Sequence, residues 1–306
     1  MGFHINSGVW PTEITLFNSD GSVDYSANKE FVERLVDMGS DGVFAICQSS
    51  EMFFLSLDEK KKLAAAVKSA LNGRASMVVS GHTSDSPEDQ IYELKTMQEV
   101  GADALVMVTN RLTLDGDDNF IKNTDRILSA IPDANFGFYE CPYPKLRLLS
   151  DEELKWCAST GRIKFLKDVS CSTEIESRRV KIVEGTELKL FNANTQSLLH
   201  SLREGYYGYN GVMGNFHIDI YKWLFNNIHD SRAQYVQEWL SKVCEIEKLI
   251  YPTVCKYYLQ LKGYPFSTYT RSKNADDLTA EHKKAAAMLV YEENEIRQEL
   301  GLPIQR

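Results

Sequence analysis

Short apolar runs recur along the chain at intervals of roughly thirty residues, and the stretches between them carry a helical period. The runs occupy 9–14, 42–47, 76–80, 104–109, 136–139, 163–167, 188–192 and 209–213. Each is brief and bounded by polar turns, which predicts strands, although a buried helical segment can show the same pattern. Within 57–71, Leu63, Val67 and Leu71 fall at i, i+4 and i+8 and predict a helix. Ser56-x-x-Glu59, Ser150-x-x-Glu153 and Thr173-x-x-Glu176 read as capping boxes, in which side chains satisfy free N–H groups at a helix start. Gly39 and Gly101 stand where a helix should stop before the next strand.

Eight strand–helix units end near residue 229. Regular alternation predicts a parallel sheet, and eight units over this length fit a closed (β/α)8 TIM barrel, an α/β fold. The competing arrangement is an open doubly wound sheet. Such a sheet usually carries a glycine-rich turn after its first strand. No GxGxxG or GxxxxGK[ST] motif occurs in the chain, which weighs against that sheet and against a nucleotide ligand. Residues 230–306 lack strand signals, and 236–250 and 282–291 have amphipathic helical patterns. The expected organisation is a barrel over 1–229 and a helical C-terminal extension over 230–306.

Composition narrows the function. The 306 residues are 43% hydrophobic and 25% charged, enough for one large core. The net charge of −9, with no basic stripe, disfavours nucleic acid. The six cysteines form no CxxC pair and do not cluster with the six histidines, so no zinc site is expected. The N-terminal residues do not read as a secretory signal, and no apolar run approaches the ~18 residues that span a membrane. The expectation is a reduced, cytoplasmic protein.

Two lysines lie three apart in the sixth run, Lys164 and Lys167. Side chains alternate along a strand, so Ile163, Phe165 and Lys167 share one face and Lys164 the other. Lys167 comes last, followed by Asp168 and a polar loop, and barrel active sites lie at the C-terminal strand ends. A lysine buried there loses its proton more readily, and the neutral amine can attack a carbonyl to form a Schiff base. On this stretch alone, pairing of Lys167 with a carboxylate at the barrel rim is the favoured reading. Lys164 reads as a stem packed on an outer helix with its charge in water.

Tyr139 ends the fifth run, where a phenol could shuttle protons or simply pack in the core. After the second run, Gln48 and Ser49 lie in a polar turn whose N–H groups could cradle a carboxylate, or merely form a turn.

Taken together, these stretches resemble the dihydrodipicolinate synthase / N-acetylneuraminate lyase family of class I aldolases. Lys167-Asp168-Val169-Ser170 resembles its strand-six motif, Tyr139-Glu140-Cys141-Pro142 its Tyr-Asn-x-Pro, and Cys47-Gln48-Ser49-Ser50-Glu51 its Gly-(Thr/Ser)-Thr-Gly-Glu. The likeness extends over almost the whole chain, through 101–109, 205–215 and the order Lys256, Gly263, Arg271. It implies an imine between Lys167 and pyruvate or a related 2-oxo acid, with Tyr139 as proton donor and acceptor. It places Ser49, with Gln48 beside it, on the carboxylate and Asn210 in the pyruvate pocket. The imine serves as electron sink, so no metal or organic cofactor is required. An aldehyde would be the second substrate, and the assembly a homo-oligomer, tetramer or dimer.

The departures bear on the aldehyde. The family's synthases carry an arginine two residues after the strand-five proline, where this chain has Pro144, then Lys145 and Arg147. Their tyrosine pair after strand four is replaced by Asn110, Arg111 and Leu112, which argues against lysine biosynthesis. The stretch 191–196 has no acid, which argues against sialic acid. Arg111 is either a solvated loop charge or a clamp for an anionic substrate. The expected activity is a Schiff-base lyase, an aldolase or dehydratase. Its rivals are a dihydrodipicolinate synthase using another cation and, because the strand-two glycines are absent, a catalytically silent barrel that binds a 2-oxo acid.

Overall fold

In the computed structural model, which describes residues 5–113 and 119–304, every apolar run supplies a strand. They are β1 (Gly8–Pro11), β2 (Gly42–Ala45), β3 (Ser76–Val79), β4 (Ala104–Val108), β5 (Phe136–Tyr139), β6 (Ile163–Asp168), β7 (Lys189–Asn192) and β8 (Gly208–Gly211). All pairings are parallel. The sheet runs in chain order from β2 to β8, β8 pairs with β1, and a bridge from Thr12 to Phe44 joins the ends of β1 and β2. This is the (β/α)8 barrel, not the open sheet.

The strands are followed in turn by α1 (Tyr25–Asp37), α2 (Leu57–Leu71), α3 (Pro87–Gln98), α4 (Phe120–Ala130), α5 (Asp151–Ser159), α6 (Thr173–Val183), α7 (Leu198–Glu204) and α8 (Gly214–Asn226). The capping boxes at Ser56 and Ser150 form as read. The third does not: Ser172 caps α6, accepting from the Ile175 amide. Glu176 instead turns into the core, where Ser197 and Asn192 donate to it, because a buried carboxyl needs partners. Gly39 and Gly101 close their helices at φ 104° and 78°, a left-handed backbone that favours glycine. The aspartates just beyond them, Asp41 and Asp103, accept from the amides of Val9 and Met77 in the neighbouring strands.

Aromatic rings fill the barrel. Trp10 lies 5.8 Å from Phe165 and 4.9 Å from Phe191, and Phe44 closes the stack 6.0 Å from Phe165. Gly42 admits the indole, since a Cβ there would land in the Trp10 ring. The interior below β6's last turn is therefore packed solid, as expected for the fold.

Beyond α8 the chain forms α9 (Ala233–Val243), α10 (Thr253–Leu261) and α11 (Ala280–Leu300). The amphipathic pattern over 236–250 stops being α-helical at 243. The next turn, Cys244–Lys248, tightens to 3-10 geometry, and Ile250 adopts φ 43° ahead of Pro252. That break carries the segment 247–252 across the barrel mouth. A buried acid holds the extension down. Glu293 bonds Lys262 at 2.7 Å, Arg297 at 2.9 Å and the Tyr258 hydroxyl at 2.6 Å, and Arg297 also pairs with Asp219 of α8.

Candidate active site

Strand alternation delivers two chemically useful groups side by side. Tyr139 and Lys167 are register partners at the ends of β5 and β6. The Lys167 nitrogen lies 4.7 Å from the centre of the Tyr139 ring and 5.6 Å from that of Phe44. It is 4% exposed, and no carboxylate among the described residues lies within ion-pairing distance. Burial pushes its pKa below the ordinary 10.5, opposed by the Cys47 and Cys141 thiols and Glu247. The rim salt bridge that the sequence left open does not form among the described residues. Lys164 points outward and pairs with Glu187, whose side chain is exposed.

The Tyr139 hydroxyl donates to Gln48 Oε1 at 3.4 Å. Burial raises its pKa well above 10, so the phenol holds its proton at neutral pH. Gln48 belongs to the 47–51 turn, which forms without the glycines. Positive φ falls on Ile46 (52°) and Glu51 (58°) instead of Cys47 and Ser50. Ser50 substitutes for main-chain contacts: it accepts from the Cys47 amide at 3.1 Å and donates to the Glu13 carbonyl at 2.8 Å. Inside the turn the amides of Ser50, Glu51 and Met52 are occupied, whereas those of Gln48 and Ser49 have no main-chain acceptor among the described residues. The Ser49 hydroxyl lies 3.0 Å from that of Thr12 and also bonds the Tyr251 hydroxyl. Two amides and a hydroxyl are thus gathered where a carboxylate could dock.

The ends of β5 and β6 are locked from behind. Arg179 of α6 pairs with both oxygens of Glu140 and, at 2.8 Å, with Asp168. Glu140 also accepts from the amides of Leu149 and Val169, and Tyr206 donates to Asp168 at 2.5 Å. The buried acid at 140 therefore comes with its own cation. After β4, Asn110 donates to the carbonyls of Cys141, Tyr143 and Lys145, pinning the loop beyond Tyr139.

These residues line a cavity of about 510 Å3 at the barrel mouth. Lys167, Tyr139, Gln48 and Ser49 form its inner end. Phe53, Phe54, Tyr143, Tyr251 and Pro252 give it apolar walls, and Glu247, Lys248 and Lys273 also face it. Its size suits a small organic ligand.

Two expected site residues are placed elsewhere. Arg111 does not reach the cavity, because its guanidinium is held by Asp85 at 2.7 Å and stacks over Phe53. It is neither of the two things expected of it, but a brace behind the aromatic wall. Asn210 faces the barrel interior but donates across to the Trp10 carbonyl at 2.9 Å, and Gly211 and Val212 form the wall in its stead. Arg147 is likewise spent, on Glu153.

A model of the Dihydrodipicolinate synthetase family matches residues 6–292. The chain belongs to this family. Its members are Schiff-base-forming lyases and aldolases. Among relatives, the 4-hydroxy-tetrahydrodipicolinate synthase of Prochlorococcus marinus (strain NATL2A) is 25% identical over 82% of this chain and 84% of its own length. The enzyme of the same name from Corynebacterium aurimucosum is 29% identical over only 51% of each chain. Among solved structures, the family's YagE from E. coli K12, in complex with pyruvate, superposes with a TM-score of 0.84 at 20% identity, covering 97% of this chain and 99% of that one. CdNal from Clostridium difficile, in complex with mannosamine, gives 0.82 at 18%, covering 94% and 98%. At such identity the structures speak for the fold.

Within this family frame, sequence reasoning missed Glu247, Tyr251, Phe53 and Tyr143. None lies in a strand or an α-helix, Phe53 and Glu247 being in short 3-10 turns, and there apolar periodicity carries no signal. No three metal-ligating side chains cluster among the described residues, and no helix there is long and apolar enough to cross a membrane.

Proposed function

We propose that the protein is a class I aldolase or lyase in which Lys167 forms an imine with pyruvate or a related 2-oxo acid. One observation carries this reading: a lysine buried without a counter-ion, in contact with a tyrosine, at the inner end of a cavity. The neutral amine attacks the keto carbon, and Tyr139 carries protons to and from the carbinolamine oxygen. The Gln48 and Ser49 amides with the Ser49 hydroxyl take the carboxylate. Loss of a proton next to the imine gives an enamine, which adds to an aldehyde. The reverse path cleaves a 4-hydroxy-2-oxo acid. The lysine imine is the electron sink, so the reaction needs no separate cofactor.

The walls support an aldehyde with an apolar flank. The relatives' own reaction is a second reading; the two arginines that follow β4 and β5, Arg111 and Arg147, are committed to Asp85 and Glu153, which leaves Lys248 and Lys273 as the cations facing the cavity. By family likeness the working form is a cytoplasmic homo-oligomer, a tetramer or dimer, with the helical extension beginning at about residue 230. Incubation with pyruvate, borohydride reduction and peptide mapping tests the proposal. The adduct is expected on Lys167; an unmodified Lys167 overturns the reading, and an adduct on Lys164 overturns the assignment of the two strand faces.

A further inference from the structure

Resting on that reading, we propose that Glu247 is a further catalytic residue, the acid–base group for the oxygen at which the aldehyde is made or consumed.

The cavity is closed below by the Trp10, Phe165 and Phe44 rings, so a chain attached to Lys167 extends towards the mouth. Glu247 faces that space from the 3-10 turn of the C-terminal extension, not from a barrel strand. Glu51 is the other acid on the cavity wall, and it is occupied: it accepts from the amides of Arg271 and Ser272 and pairs with Lys256. The Glu247 carboxyl has no hydrogen bond or ion pair among the described residues. The charged groups that act on it are Lys167 across the cavity and Lys248 and Glu245 on its own turn. Burial outweighs the two lysines and lifts its pKa to about 7, so both protonation forms are present near neutral pH.

Tyr139 is poorly suited to the same task. Its hydroxyl is directed at Gln48 and its phenol stays protonated, which fits a donor of protons to carbon rather than an acceptor from a hydroxyl. In cleavage, the Glu247 carboxylate takes the hydroxyl proton at C4, and the O–H pair becomes the new carbonyl bond. The C3–C4 pair moves into the imine and leaves an enamine, and the aldehyde departs. The enamine carbon takes a proton from Tyr139, water hydrolyses the imine, and the proton held on Glu247 passes through that water back to the Tyr139 phenolate, which restores both groups. Condensation runs the same steps backwards.

The test compares the wild type with Glu247→Gln and Glu247→Asp in two assays. The first is borohydride trapping of pyruvate on Lys167. The second is cleavage of 4-hydroxy-2-oxopentanoate and 4-hydroxy-2-oxo-4-phenylbutanoate, followed by release of pyruvate. Glu247→Gln should still trap pyruvate on Lys167, with the trapping midpoint moved to lower pH because Glu247 no longer opposes the lowering of the Lys167 pKa, yet cleave at least about 100-fold more slowly and lose the ionisation near pH 7 from its rate profile. Glu247→Asp should recover part of the rate. Cleavage by Glu247→Gln within about threefold of wild type overturns the assignment, as does equal loss of trapping and cleavage in both variants. A wild type that traps pyruvate but cleaves neither compound also overturns it, since Glu247 then has no hydroxyl to serve. A wild type that fails to trap pyruvate refutes the imine reading itself, a different and separable result.

Discussion

Tyr139 and Lys167 face each other as register partners across β5 and β6, with the lysine nitrogen 4.7 Å from the tyrosine ring centre. Neither side chain needs a loop to bring it there. Two adjacent strand ends place them, and the Phe44 ring beneath keeps the pair dry.

The pH dependence of adduct formation should therefore report Lys167. Burial lowers its pKa, so the neutral amine becomes available below the range of an ordinary lysine. The rate of borohydride trapping should rise with pH through a midpoint below 10.5 and then level off. A midpoint at or above that value contradicts the buried geometry. Tyr139→Phe should keep the fold and slow trapping by about 100-fold or more.

Arg179 compensates two buried acids, Glu140 and Asp168. Arg179→Met leaves both without a cation and should cost about 3–5 kcal/mol in urea unfolding. The double variant Arg179→Met/Glu140→Gln should recover part of that loss. If the single variant costs under about 1 kcal/mol, the network does not hold the strand ends.

Glu13 is buried beside Ser50, and desolvation raises its pKa to about 8 from 4.5. The folded state then holds a proton that the unfolded state releases between those two values. Its contribution is thus fully present at low pH and declines as pH rises from about 4.5 to about 8. Thermal melts of Glu13→Gln and wild type should diverge as pH rises through that window, the variant gaining relative stability. Parallel melting curves across pH would show that Glu13 is ionised in the folded protein.

The aromatic wall and the arginine behind it should separate in kinetics. Tyr143→Ala and Phe53→Ala should raise KM for benzaldehyde about 10-fold and leave pyruvate trapping unchanged, from the loss of one buried ring contact. Arg111→Ala should change the concentration dependence of pyruvate trapping by less than about threefold, because Asp85 already holds that charge. A large loss of pyruvate affinity in Arg111→Ala would return it to the binding site.

The barrel was legible because each strand is buried on both faces and reads as an apolar run, with polar turns between. Lys167 and Tyr139 were legible as chemistry only through strand alternation and position at a strand end, and family resemblance resolved what alternation left open. Asn210 misled because an inward-facing side chain can be spent on a neighbouring strand, which the linear order does not show. Arg111 misled because its counter-ion, Asp85, lies 26 residues away in another loop. Glu247 and Tyr251 were invisible as site residues because a local helical pattern hid the 3-10 break that turns them towards the mouth.

The aromatic stack beneath Lys167 makes the barrel a dead end. Whatever reaches the lysine arrives by the same opening through which everything must leave. In the proposed reaction, the 2-oxo acid on Lys167 enters before the aldehyde and departs after it. The order of binding that the proposed reaction requires thus rests on the closed floor of rings, Trp10, Phe165 and Phe44.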